Sequence, residues 1–152
     1  RQYKAAGRDS SGNAAAGSCR YFGTPAEAAA EADTLYVGFW TDRGHADADC
    51  NAFFEKLRGK KVFLFGTAGF GGSAEYFAKI LSAVQAELDP SNTVVGTYMC
   101  QGRMPQSVRQ RYEAMKQQPN PASNLDMLIE NFDRALAHPD AGDLERLKQA
   151  VQ

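Results

Sequence analysis

Two short stretches limit the folds open to this chain more than anything else in it. Thr34-Leu35-Tyr36-Val37-Gly38-Phe39-Trp40 and Lys61-Val62-Phe63-Leu64-Phe65 are β-forming on consecutive rather than alternate positions. A strand with one wet face alternates apolar and polar residues, so continuous runs belong to strands covered on both sides, as in a parallel sheet with helices on each face. A helical pattern follows each run. Residues 47–58 place Cys50, Phe53, Phe54 and Leu57 on one face and stop at Gly59, and residues 74–88 do the same with Phe77, Ile80, Leu81, Val84 and Leu88. A third strand, residues 93–99, follows the break Asp89-Pro90-Ser91-Asn92. Strands alternating with helices imply right-handed βαβ units and a doubly wound α/β sheet.

The flanks are plainer. Residues 1–18 have neither helical nor strand periodicity and read as an irregular segment ahead of one domain over residues 19–152, a length that can bury a core unaided. A short strand is expected at residues 19–23, then a helix from Thr24-Pro25-Ala26-Glu27 to Ala32, with Pro at its first position and Glu placed for a capping box. Three further helices close the chain. Residues 105–117 carry Val108, Tyr112 and Met115; residues 123–136 carry Leu125, Leu128, Ile129, Phe132 and Leu136; and Asp140 caps the last, with Leu144, Leu147 and Val151. None of the three carries a recognisable site.

Composition removes several function classes. The 17 Lys and Arg nearly cancel the 18 Asp and Glu, without a basic stripe interleaved with aromatics, which argues against a nucleic-acid partner. Apolar stretches of strand length only, without a basic start, argue against a membrane span and a secretory signal, so a cytoplasmic setting is expected. Three scattered cysteines, Cys19, Cys50 and Cys100, form neither a disulfide framework nor a zinc motif and are expected reduced and mostly buried. Cys100 has no histidine near it in sequence to make it a nucleophile. Asp42, His45, Asp47 and Asp49 read as a solvated loop running into an acidic helix start rather than a metal site, and His138 reads as a surface residue. Neither GxSxG nor a Walker lysine motif is present.

Chemistry is expected where open α/β sheets bind ligands, outside the carboxyl ends of the strands. Three loops there are unusual: Trp40-Thr41-Asp42-Arg43-Gly44-His45, the stretch Gly66-Thr67-Ala68-Gly69-Phe70-Gly71-Gly72-Ser73, and Cys100-Gln101-Gly102-Arg103-Met104. The second has four glycines in seven positions, each worth roughly 0.5–1 kcal/mol of backbone entropy against Ala. One or two would serve a tight turn, so the excess points to positive φ and close approach of backbone amides to a ligand. Gly69-x-Gly71-x-x-Ala74 has the form of a dinucleotide fingerprint, but the acids that should follow at a strand end, Glu87 and Asp89, fall at the end of a helix. Trp40 and Phe70 put flat aromatics at two neighbouring loop tips, which suits a flat ring. Either residue could instead serve the core at a strand end.

Together the three loops resemble the flavodoxin family, and within it the small flavodoxin-like proteins found beside bilirubin reductases in gut bacteria. The resemblance spans about residues 21–152 and is specific in the loops. It implies a flavodoxin-like sheet of order 2-1-3-4-5 with extra C-terminal helices, and FMN as cofactor. Phe39, Trp40, Thr41, Asp42 and Gly44 would lie on one side of the ring; Thr67, Ala68, Gly69, Phe70, Gly71 and Gly72 on the other; Gln101 and Gly102 near the rim; Tyr76 adds a contact. The family opens with a buried strand and a phosphate loop of form [ST]-x-[ST]-G-N-T, echoed here only by Ser11-Gly12-Asn13, with Asp9 and Ala14 in place of the flanking hydroxyls. The first strand and phosphate loop are therefore expected to be missing or altered in this sequence. The implied function is delivery of electrons to a partner reductase by transient contact. The alternatives are a flavin-dependent oxidoreductase with its own small-molecule substrate, and an interaction module without flavin.

Overall fold

The structure, a computed structural model, describes residues 19–152. Three parallel strands form its centre: β1 (Thr34–Asp42), β3 (Lys61–Ala68) and β4 (Thr93–Gln101), with β3 in the middle. A two-residue strand, β2 (His45–Ala46), folds back antiparallel on the end of β1, so the order is β2-β1-β3-β4 and the sheet is mixed rather than wholly parallel. The return is local: Arg43 and Gly44 take positive φ, which turns the chain within two residues. Residues 34–40 of β1 have no neighbour strand on the flank away from β3 among the described residues. In the expected order 2-1-3-4-5 that flank belongs to the first strand. The motif Ser11-Gly12-Asn13 lies outside the described residues.

Both faces of β3 are covered, as its unbroken apolar run requires. Val62, Leu64 and Ala68 join Leu35, Val37 and Phe39 of β1 in the main core. Over it pack α1 (Ala48–Phe54), through Cys50, Phe53 and Phe54, and α2 (Ala74–Ala86), through Ile80 and Val84. Phe63 and Phe65 point the other way, against Leu147 of the last helix, α5 (Ala141–Ala150). That helix also packs on β4, where Tyr98 donates to the Asp143 carbonyl at 2.8 Å, and the face of β1 beside it is less covered than that of β3. Tyr36, on the same face of β1, rests on Phe63 with ring centroids 5.6 Å apart and stays half exposed.

Several boundaries differ from the sequence reading. Residues 19–23 form no strand, and the expected helix after Pro25 is a single 3-10 turn, Glu27–Glu31, capped by Ala26 without a side-chain bond, so there is no capping box. The helix from Asp47 is shorter, and β4 runs two residues further, to Gln101. A bulge in β4 opposite the Val62/Phe63 step leaves Val95 exposed. The C-terminal helices are not a featureless tail either. Helices α3 (Gln106–Lys116) and α4 (Leu125–Ala135) pair through ion pairs Arg109–Asp133 and Lys116–Asp126, bury Tyr112, Leu125 and Phe132, and return α4 to the glycine loop. No helix of the described residues is long and apolar enough to cross a membrane.

Candidate cofactor-binding site

Parallel pairing sets the three unusual loops side by side. Trp40 is the register partner of Thr67, and Thr67 of Cys100, so the chain leaves β1, β3 and β4 at one level along one edge of the sheet. The exposed apolar rings at this edge are Trp40, 51% exposed, and Phe70, 54% exposed. Rings of this size held half in water by ordered backbone are the kind of surface that gains most from covering by another flat apolar group.

Trp40 is fixed by Asp47, which the sequence places in a solvated loop at an acidic helix start but which the structure buries. Asp47 is buried, caps α1 by accepting from the Cys50 amide at 3.2 Å, and accepts from the Trp40 amide at 3.3 Å with its other oxygen. The Asp47 amide in turn donates to the Trp40 carbonyl at 3.1 Å. One side chain thus ties the loop tip to the helix start. Asn51 adds a bond from Nδ2 to the Ala46 carbonyl at 2.9 Å, while its Oδ1 and the Thr41 hydroxyl are both buried without a hydrogen-bond partner among the described residues. An Asp followed by a helical pattern is a cap signal legible in sequence; its second bond to Trp40 is not.

The glycine loop differs from expectation in an informative way. None of its glycines takes positive φ among the described residues; that conformation falls to Arg43 and Gly44 in the first loop and to Gly59 and Asn120 elsewhere. Gly66 is needed for packing, since a Cβ there would lie 2.6 Å from the Phe39 ring and 2.9 Å from the Met99 sulfur. A Cβ on Gly69 would overlap Met104. Gly71 and Gly72 have no such reason: added Cβ atoms would meet only Tyr76 and Gln101, at ordinary contact distances of 3.5 Å. The amides of Phe70, Gly71 and Gly72 make no hydrogen bond with the described residues. Ser73 ends the loop by capping α2, accepting from the Tyr76 amide at 3.2 Å.

The other sequence-predicted site residues divide by position. Phe39, Ala68 and Thr67 are buried in the sheet, so their side chains are closed to a ligand at the loop tips. Thr41 pairs with Ala46 across the hairpin, and Asp42 is exposed beside Gly44. Gly102 is buried, its amide donating to the Ala68 carbonyl at 2.9 Å. Gln101 is half-buried and turns its amide to Asn131 of α4 at 3.0 Å. The edge is open rather than a closed pocket. A cavity of about 630 Å3 lies elsewhere, between the 3-10 turn and α1, lined by Thr24, Pro25, Phe53 and Lys56.

Nucleophilic chemistry finds no support in the thiols. Burial, with help from nearby Asp143, pushes the Cys100 thiol up to about 12, and burial beside Asp47 pushes that of Cys50 higher still. Cys19 is the exposed one of the three. His138 is not a plain surface residue: it is half-buried and bonded to Asp143. His138, Asp140 and Asp143 lie close enough together to suggest a metal site, but Asp143 is already satisfied by His138, Arg146 and the Asp140 amide.

A parallel three-stranded core flanked by helices, with its unusual loops gathered at the strands' carboxyl ends, is an α/β architecture of flavodoxin type. The flavodoxin domain model matches residues 19–152, and the chain belongs to that family. Among its relatives is the flavodoxin-like domain-containing protein BilS of Clostridium symbiosum, 38% identical over 143 residues, covering 84% of this chain and 75% of that protein. A BilS protein of Clostridioides difficile is 25% identical over 112 residues, covering 74% of this chain and 64% of that protein, so the chain spans less than two thirds of the latter's length.

Proposed function

We propose that this chain binds FMN by its ring at the Trp40 and Phe70 edge and carries electrons to a partner reductase. The observation that carries this reading is the pair Gly71 and Gly72. They have neither positive φ nor a crowding neighbour, they lie beside an exposed phenylalanine, and their amides lack partners among the described residues. A bare backbone with free donors next to an aromatic wall fits a flat heteroaromatic ring edged with carbonyl acceptors.

FMN would supply the one- and two-electron chemistry, as cofactors do for most redox proteins. The chain's part is binding and shielding. Trp40 and Phe70 would cover the ring faces and exclude water, amides of residues 70–72 would donate to the ring edge, and Tyr76 would extend the apolar wall. Arg43 and Gly44 hold Trp40's loop in its tight turn. Side chains with acid–base chemistry are not required, which favours a carrier over an enzyme with its own substrate. Holding the phosphate falls to Ser11, Gly12 and Asn13 in the resemblance, outside the described residues. Cysteines that are free, two of them buried, fit a reducing cytoplasm.

The test is titration of the protein with FMN, followed by visible absorbance and flavin fluorescence. Quenching with a defined stoichiometry is expected, and Trp40→Ala and Phe70→Ala should each weaken binding while leaving the fold intact. A protein that stays colourless after reconstitution overturns the reading.

A further inference from the structure

Helix α4 is hydrogen-bonded to the glycine loop by the side chain of Asn131. Asn131 donates from Nδ2 to the Gly69 carbonyl at 2.9 Å, across 62 positions of sequence, and its Oδ1 accepts from Gln101 Nε2 at 3.0 Å. The amide is therefore spent in both directions, between the end of β4 and the loop after β3. Asn131 itself is not free to follow the loop. Its helix is anchored by buried Leu125, Phe132 and Ala135, by the Arg109–Asp133 pair to α3, and by Arg103, whose Nε donates to the Leu136 carbonyl at 3.1 Å.

Gly69 is held from a second side as well, because Met104 occupies the space a Cβ would need and the Gly102 carbonyl stands 3.4 Å from where that Cβ would lie. A trans peptide is planar, with its C=O and N–H pointing in opposite directions. With the Gly69 carbonyl drawn to α4, the Phe70 N–H must face away from α4. That N–H is the first of the three amides without a partner among the described residues.

We infer that Asn131 is a positioning residue: it sets the Gly69–Phe70 peptide so that the amides of residues 70–72 and the Phe70 ring are preorganised for a flat ligand with carbonyl acceptors. This rests on the flavin reading of the same edge. It makes the α3–α4 pair a support of the ring site, where the sequence reading found no site. Preorganisation by a rigid neighbour raises affinity by removing the ordering step from binding.

Asn131→Asp is the discriminating variant. It keeps the acceptor for Gln101 and the side chain's shape, but replaces the donor with an oxygen facing a carbonyl oxygen. Asn131→Ala, with the best helix former, is the second variant should the first fail to fold. Two readouts are taken on each. In the flavin-free protein, backbone 15N relaxation should show the amides of residues 70–72 rigid in the parent, with order parameters near ~0.85, and mobile in both variants, below ~0.6. FMN titration, at a temperature where each variant is fully folded, should show roughly tenfold weaker binding in the variants, the scale of a hydrogen bond lost from an ordered site, with a thermal midpoint lowered by about 2–4 °C at most. A parent that binds FMN, with variants matching it in affinity and loop order, overturns the role of Asn131 and leaves the flavin reading standing. A parent that binds no FMN overturns the flavin reading, and the relaxation data then still decide whether Asn131 orders the loop.

Discussion

Nδ1 of His138 lies 2.6 Å from Oδ2 of Asp143, joining the residue before the last turn to the first turn of α5. The Asp143 carboxylate also completes a capping box with Asp140 and accepts from Arg146 at 2.6 Å, while Tyr98 donates to the Asp143 backbone carbonyl at 2.8 Å. Burial alone would raise this carboxyl, but the bonds from His138, the Asp140 amide and Arg146 outweigh it and hold the group below the usual carboxylate range. The cluster is what seats α5 on Phe63 and Phe65.

Its pH dependence follows from the direction of that shift. A carboxyl with a lowered folded pKa stabilises the fold fully above its unfolded value of about 4, and the contribution is lost as pH falls through the folded value. Denaturant midpoints should be flat in this respect near neutrality and drop below about pH 4. Asp143→Asn should lose about 1–3 kcal/mol at pH 7 and show a shallower acid slope. An unchanged slope would remove Asp143 from the account.

The cysteines should separate into two classes. Cys19 is exposed, whereas Cys50 and Cys100 are buried, Cys50 with its S–H directed to the Gly38 carbonyl at 3.3 Å. A thiol reagent at pH 8 should modify one group rapidly in the native protein and all three in denaturant, read by mass spectrometry. Rapid modification of Cys100 in the native state would contradict its burial beneath α5.

Asp47 links stability to the candidate site. Asp47→Ala removes the α1 cap and the acceptor for the Trp40 amide, and should cost about 1–2 kcal/mol by denaturation. It should also red-shift tryptophan emission, by less than unfolding does, because Trp40 is the only tryptophan and loses one tether, not its strand. Asp47→Asn, which keeps an oxygen acceptor, should recover most of both effects.

Two glycines in the sheet should resist substitution while two in the loop should not. Gly66→Ala drives a methyl into the Phe39 ring, and Gly96→Ala drives one to 2.6 Å from the Phe63 ring; each should destabilise by about 1–3 kcal/mol. Gly71→Ala and Gly72→Ala meet only ordinary contacts and should leave the thermal midpoint nearly unchanged while weakening FMN binding. Equal loss of stability at all four would mean that the loop glycines are structural too.

Much of this was readable from residue order. The helical spacing of Cys50, Phe53 and Phe54 and of Ile80 and Val84 announced α1 and α2, because helix faces repeat locally every 3.6 residues. The loops bearing Trp40, Phe70 and Gln101 could be named because strand ends are marked by local breaks. The segment after Pro25 forms a short 3-10 helix and not a capped α-helix: Thr24-Pro25-Ala26-Glu27 has the residue types of a helix start, but Ala29 is its one buried residue and no apolar face extends it.

By itself, then, the sequence determined the α/β class, the two-sided character of β3 and the loops that could hold a ring, all properties of neighbours along the chain; the same reading of β1 failed on the face that leaves Tyr36 and Trp40 half exposed. Only tertiary structure decided that Gly66 and Gly69 serve packing while Gly71 and Gly72 are spare, that Asp47 holds Trp40, and that Asn131 reaches Gly69 across 62 residues. Such contacts depend on which surfaces the core brings together, and side-chain periodicity carries no information about distances between elements that meet only after folding.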